Sequence, residues 1–279
     1  MKTTRINILL PTDFSDNAWS AAVYAFKLYA DKECIFYFLH SNFNGTKTIS
    51  NITKALISTM DEKAMKELME LKEMAEVSNA NANHTFEIVL SPEKLLKAIE
   101  VESEKHKIDL VVMGTRGSTG AKEFFYGSNT VNIINKMRLC PVLVVPDEYD
   151  FIEPKQIAFP TDFNRFYDKI KLEFLKDFAD LFNSKIRIVH IKTENQLDEI
   201  QEYNYAMLKK QLEDCNFSFH WMPDYTKKVE EIHIFIEDLK INILVMINYR
   251  HSLIESIVKE PVIKKIGFRP VIPFLVIPE

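Results

Sequence analysis

Short runs of consecutive apolar residues alternate along this chain with longer stretches in which apolar positions recur every three or four residues. The first run, Ile6–Leu10, leads into Asp16–Ala30, where Ala18, Ala22, Ala25 or Phe26 and Tyr29 fall on one face of a helix. The pattern continues with a strand at Cys34–His40, a polar stretch at Asn42–Asn51 and a long helix to about Val77. A strand at Phe86–Leu90, a helix at Glu93–His106 and a strand at Asp109–Met113 follow, then a loop, a helix at Ser128–Met137 and a final strand at Val142–Pro146. Strands that are apolar on consecutive positions predict burial on both faces of a parallel sheet. Their alternation with amphipathic helices predicts an α/β fold with right-handed crossovers.

The pattern then repeats. Ile8-Leu9-Leu10-Pro11-Thr12-Asp13-Phe14 returns as Ile157-Ala158-Phe159-Pro160-Thr161-Asp162-Phe163, and Val142-Leu143-Val144-Val145-Pro146 returns as Phe274-Leu275-Val276-Ile277-Pro278. The second series runs Ile157–Phe159, Asp168–Phe182, Ile186–Ile191, Leu197–Cys215, Phe217–Met222, Val229–Leu239, Ile243–Ile247, Ile254–Ile266 and Phe274–Ile277. Acidic residues and Pro154 break the apolar pattern at Asp147–Lys155. The expectation is two tandem doubly wound parallel-sheet domains, over residues 1–147 and 155–279, which suits a chain of 279 residues.

The loop after Met113 carries the chemistry. Gly114, Gly117, Gly120 and Gly127 are four of the six glycines in the whole chain, within fourteen residues. A strand ending on Gly114 leaves no side chain between backbone and ligand, Gly117 is free to take a positive φ, and Gly127 lets a phosphate approach a helix start. Ser128 suits the cap, and Asn129 and Thr130 place their N–H groups in the first turn, where the helix dipole favours an anion. Asp13 ends the first strand as Gly114 ends the fourth, so in an open sheet both flank one crevice. Its carboxylate suits either an exocyclic amine or ribose hydroxyl, or a helix cap in Thr12-Asp13-Phe14-Ser15.

A net charge of −5 with both signs interspersed argues against a nucleic-acid partner. Lys63, Lys66 and Lys72 among glutamates read as a solvated helix face. Cys34, Cys140 and Cys215 lack paired spacing and read as buried free thiols of a reducing compartment. The apolar run after Lys2 and Arg5 is too short for a signal peptide, and no run reaches the roughly 18 residues of a spanning helix. The expectation is therefore a cytoplasmic protein with no membrane partner. His84, His106 and His233 read as solvent-facing or helix-end residues without carboxylate partners, and no hydrolase or Walker motif appears.

Pro11-Thr12-Asp13-Phe14-Ser15, Leu39-His40, Val112-Met113-Gly114-Thr115-Arg116-Gly117, Gly127-Ser128 and Cys140-Pro141-Val142-Leu143-Val144-Val145 together resemble the signature segments of the universal stress protein family. The resemblance implies a Rossmann-like fold of the adenine nucleotide alpha hydrolase type. It also implies ATP, with Mg as its companion ion, with adenine near Asp13 and the backbone around Ser41, ribose and phosphates along Gly114, Gly117, Gly127 and Ser128, the Asn129 and Thr130 amides and Arg116 as further phosphate contacts, and Pro11, Thr12 and Met113 completing the nucleotide-binding set. Arg116 either meets phosphate or is simply solvated, and Phe124-Phe125-Tyr126 depart from the family pattern. In the second half Met246-Ile247-Asn248-Tyr249-Arg250-His251 stands where the glycine loop should be, so no tight ATP site is expected there. Function classes follow in order: a nucleotide-dependent stress-response binding protein with an unknown protein partner, a slow ATPase, or a chaperone-like interaction protein.

The family's single-domain members imply one further expectation: Val142–Val145 and Phe274–Ile277 pair antiparallel within the chain as an intramolecular pseudo-dimer, with a homodimer of chains beyond it. A fragment ending at Tyr149 should then dimerise or aggregate through its bare strand edge. A monodisperse monomer at high concentration in sedimentation would exclude that pairing.

Overall fold

The structure, a computed structural model, describes residues 5–43, 51–115, 127–192, 196–223, 228–249 and 272–279. The chain divides into two compact units, Met1–Phe151 and Ile152–Glu279. The first contains β1 (Ile6–Pro11), α1 (Asp16–Leu28), β2 (Cys34–Ser41), α2 (Asn51–Ser78), β3 (His84–Ser91), α3 (Leu95–His106), β4 (Leu110–Gly114), α4 (Ser128–Lys136) and β5 (Val142–Val145). Its strands pair in parallel in the order β3-β2-β1-β4-β5. The order reverses between β1 and β4, so the crevice of this doubly wound sheet opens beyond Pro11 and Gly114.

The second unit contains β6 (Gln156–Pro160), α5 (Lys169–Asp180), β7 (Lys185–Lys192), α6 (Glu199–Gln211), β8 (Phe217–Pro223), α7 (Lys228–Asp238), β9 (Ile243–Asn248) and β10 (Phe274–Pro278). Its parallel order is β8-β7-β6-β9-β10, the same topology as the first unit. The expected helix Ile254–Ile266 lies outside the described residues.

The central strands are buried as their apolar runs predict, with Ile8, Leu9, Leu110, Val111 and Leu143 fully excluded from solvent. In the first unit Phe26 of α1 meets the sheet edge-on, its ring centroid 4.9 Å from Phe36 and 5.2 Å from Phe86. Phe36 and Phe86 themselves stack across β2 and β3 at 5.6 Å. Such pairs add to the area they bury.

Two expectations need correction. His84 is buried, not solvent-facing: its Nε2 lies 3.1 Å from the Tyr29 carbonyl and its Nδ1 2.7 Å from Asn79 Nδ2. Because the carbonyl only accepts, Nε2 carries the proton, and burial holds this imidazole below its usual range. His106 does have a carboxylate partner, Glu102, at 3.1 Å, while the His233 side chain lies outside those described. The cysteines are free, Cys34 and Cys140 buried and Cys215 half-buried, and burial pushes the Cys34 thiol up to about 12 and Cys140 up to about 11. Among the described residues no helix is long and apolar enough to cross a membrane.

Removing the Phe26 ring leaves a hole against β2 and β3, where Phe36, Phe38 and Phe86 meet it. Phe26→Ala should therefore cost about 3–5 kcal/mol, read as a lowered urea midpoint, with Phe26→Leu costing less.

Candidate functional site

The β1–α1 turn is built by its own side chains. Phe14 adopts a left-handed backbone, φ 64°, which is costly for a bulky residue. The amide of Phe14 donates to Thr12 Oγ1 at 3.0 Å, and the amide and hydroxyl of Ser15 donate to Asp13 Oδ1 at 3.2 and 2.6 Å. Ser15 in turn caps α1 by accepting from the Ala18 amide. The second unit repeats this turn, with Phe163 at φ 57°, its amide on Thr161 Oγ1, and the Asn164 amide on Asp162 Oδ1. Asp13 is thus a turn residue and not the cap, which is Ser15, and Asp162 holds the same turn position while Asp168 caps α5.

His40 closes the turn from β2. Its Nδ1 donates to the Thr12 carbonyl at 2.9 Å, and its ring lies 4.5 Å from Phe14. His190 holds the Thr161 carbonyl at the same distance in the second unit.

Beyond this turn lies a cleft of about 740 Å³. It gathers Pro11, Thr12 and Asp13 from the end of β1, Ser41 from β2, Met113 and Gly114 from β4, and Gly127, Ser128, Asn129 and Thr130 from the start of α4. Residues more than a hundred positions apart in sequence therefore share one wall. Arg116 and Gly117, with the rest of 116–126, lie outside the described residues.

Gly114 and Gly127 both line the cleft, and Gly114 is bare for a steric reason as well. A Cβ on Gly114 would stand 2.1 Å from Oδ1 and 2.7 Å from Cγ of Asn17, on α1, and 3.0 Å from the Asn17 carbonyl. Gly114 is bare because the buried Asn17 occupies its side-chain space, and Asn17 Nδ2 in turn holds Asp147 at 3.1 Å. Gly127 has φ −57°, open to any residue, so no positive φ is used there. It is Gly127, not Ser128, that caps α4, and it offers no side-chain acceptor to the first turn. The helix start is anchored instead by the Gly127 amide on the Thr115 carbonyl at 2.7 Å and by the Thr130 hydroxyl on the Gly114 and Thr115 carbonyls.

Sequence reasoning missed the opposite wall. Lys94, Lys97 and Glu100 come from the cap and first turns of α3, Phe43 follows β2, and Asn132 and Lys136 extend along α4. The Lys94 ammonium lies 5.1 Å from the Phe43 ring centroid. Ser41, which the resemblance places near the base, donates its hydroxyl to the Glu93 carbonyl at 2.6 Å and so ties β2 to the approach to α3. Lys94 caps α3 without any side-chain hydrogen bond. Among the described residues no group of three His, Cys, Asp or Glu side chains gathers to hold a metal ion.

The universal stress protein family model matches residues 5–146, which takes in the whole β1–β5 sheet and both walls of this cleft. The chain belongs to the universal stress protein family. Two universal stress proteins of Methanocaldococcus jannaschii are each similar to half of the chain. MJ0577 is 29% identical over 155 residues, covering 50% of this chain and 93% of the relative. MJ0531 is 31% identical over 142 residues, covering 50% and 80%. A universal stress protein structure from Archaeoglobus fulgidus shares the fold along the whole chain, with a TM-score of 0.65 at 16% identity over 98% of this chain and 96% of the other.

The second unit keeps the family's topology without the same crevice. Gly114 pairs with Val145 on β5, and the matching register position on β9 is Ile247, paired with Ile277. The end of β6 is covered by its own chain: Gln201 and Asn204 of α6 donate to the Asp162 and Phe163 carbonyls at 2.9 and 2.8 Å. Phe163, fully buried, stacks on His190 at 4.8 Å with Tyr205 and Trp221 around it. Arg250 and His251 lie outside the described residues.

The steric origin of Gly114 is open to direct measurement. Gly114→Ala should destabilise the first unit by about 1–3 kcal/mol, and adding Asn17→Ala should recover only part of this, because the Asn17 carbonyl remains at 3.0 Å. Chemical denaturation of the single and double variants checks it, and additive losses would contradict the contact.

Proposed function

We propose that the first unit binds one ATP per chain, and that occupancy sets how this universal stress protein presents its surface to a protein partner in the cytoplasm. The observation that carries this reading is the pattern of helix caps. Helices α1, α5 and α6 are capped by the side chains of Ser15, Asp168 and Asp198. The capped α1 reaches the cleft with Ala18, and the other two helix starts that line it, α3 and α4, have no side-chain cap. Two helix starts without a side-chain acceptor, facing one crevice edged by Lys94, Lys97 and Lys136, favour a polyanion. Phosphates lie along the first turn of α4 on the Ser128–Thr130 amides, and the adenosine lies across the ends of β1 and β2 beside Asp13 and Ser41. A Mg ion enters with the phosphates. The second unit takes no nucleotide, since Ile247 and α6 fill the corresponding space.

Mass spectrometry of nucleotide released from the purified chain should identify ATP, and calorimetric titration should give a single site. Asp162→Ala serves as the control for Asp13→Ala, because both variants lose the turn bond from the amide two residues on, Asp13→Ala losing the Ser15 hydroxyl bond as well, and with them about 0.5–2 kcal/mol of stability. Asp13→Ala should in addition weaken ATP about tenfold or more, as expected for a charge-assisted contact, while Asp162→Ala leaves affinity unchanged. Two equivalent sites, or equal losses from the two variants, would overturn the reading.

A further inference from the structure

Three elements, α4, β4 and β5, meet beside the cleft, and one hydroxyl joins the first two. Thr130 is the third residue of α4 and only 2% exposed. Its Oγ1 lies 3.2 Å from the Gly114 carbonyl and 3.4 Å from the Thr115 carbonyl, the last residue of β4 and the one after it. The Thr115 carbonyl also accepts the Gly127 amide at 2.7 Å. Two donors from the helix start, one side chain and one backbone, thus converge on the terminal carbonyls of a strand. These carbonyls sit where the glycine loop departs, and Thr115 is itself held in the sheet by its amide on the Val145 carbonyl at 3.2 Å.

We propose that the Thr130 hydroxyl is a positioning residue for phosphate: it fixes the first turn of α4 against β4 so that the Ser128, Asn129 and Thr130 amides stand pre-aimed into the cleft. This rests on the reading that the cleft holds ATP. The hydroxyl itself faces the strand and makes no ligand contact, so its effect is carried by the amides. Preorganised amides gain over free ones because no reorientation is needed when the charge arrives. Without the Thr130 bond, the Gly127 amide is the remaining hydrogen bond from the start of α4 to β4 among the described residues, and the two strand carbonyls lose a buried donor. Ligand groups that do not reach α4, the base and ribose, do not sense the change.

The test is a comparison of ATP and adenosine on the full chain and its variants. Thr130→Val keeps the shape and removes the donor, and Thr130→Ser keeps the donor and removes the methyl. Thr130→Val should weaken ATP about five- to tenfold, the worth of one buried hydrogen bond, and leave adenosine affinity within twofold of the parent. Thr130→Ser should restore ATP affinity. Amide hydrogen exchange at Ser128–Val131 should quicken in Thr130→Val, and this reading holds even if the variant is too unstable for titration. Equal loss of ATP and adenosine, unchanged ATP affinity, or unchanged exchange would overturn the clamp while leaving the ATP reading intact. A parent chain that binds neither ligand overturns that reading and the clamp with it.

Discussion

Asn17 fills the space that any side chain at residue 114 would take, and the geometry of the crevice follows from that contact. It brings α1 onto the end of β4, and through Asp147 it also reaches the residues that follow β5. The β1–α1 turn, the end of β4 and the exit from β5 are thereby set at fixed separations around one buried amide. Where Ile247 stands in place of Gly114, the helix after the corresponding turn begins later: α1 opens at Asp16, three residues past Asp13, whereas α5 opens at Lys169, seven past Asp162. The second unit fills the space with aromatic rings and covers it with α6.

The fold was legible because burial writes itself into sequence at short range. The runs Ile6–Leu10, Val142–Val145 and Phe274–Ile277 are apolar at successive positions only because both faces of the sheet are covered, and the repeat doubled the signal. Boundaries were less legible where the face alternates. Strand β3 extends from His84 to Ser91, beyond the apolar core of the run, because Thr85 and Glu87 point to solvent while the backbone ladder continues. His84 looked exposed beside Asn79, Asn81 and Asn83 for the same reason: polar neighbours in sequence gave no hint that the Tyr29 carbonyl awaits it from α1.

At the site, sequence exposed the wall that carries glycines and concealed the wall that carries charge. Lysines on an amphipathic helix read as solvated, and nothing local to Lys94 or Lys97 reveals that α3 begins at the same crevice as α4. Asn17 was invisible for a related reason, since its role depends on a strand nearly a hundred residues away. The aspartate common to both repeats shows the converse. Asp13 and Asp162 hold the same left-handed phenylalanine turn, so the motif that best marks the repeat encodes how the chain leaves the first strand of each unit. Its persistence in the second unit needs no ligand.

The missing caps on α3 and α4 have a consequence for the lifetime of the protein. A helix start without a side-chain acceptor forgoes about 1 kcal/mol that a cap would supply, so the first unit folds with two such deficits on one surface. Any anion that settles there adds its binding free energy to the folded state alone, about 2.7 kcal/mol at a hundredfold excess over its dissociation constant. Resistance to unfolding and to proteolysis in this unit is then coupled to the concentration of whatever fills the crevice. Under the proposed reading, the abundance of the protein itself would become a record of its ligand.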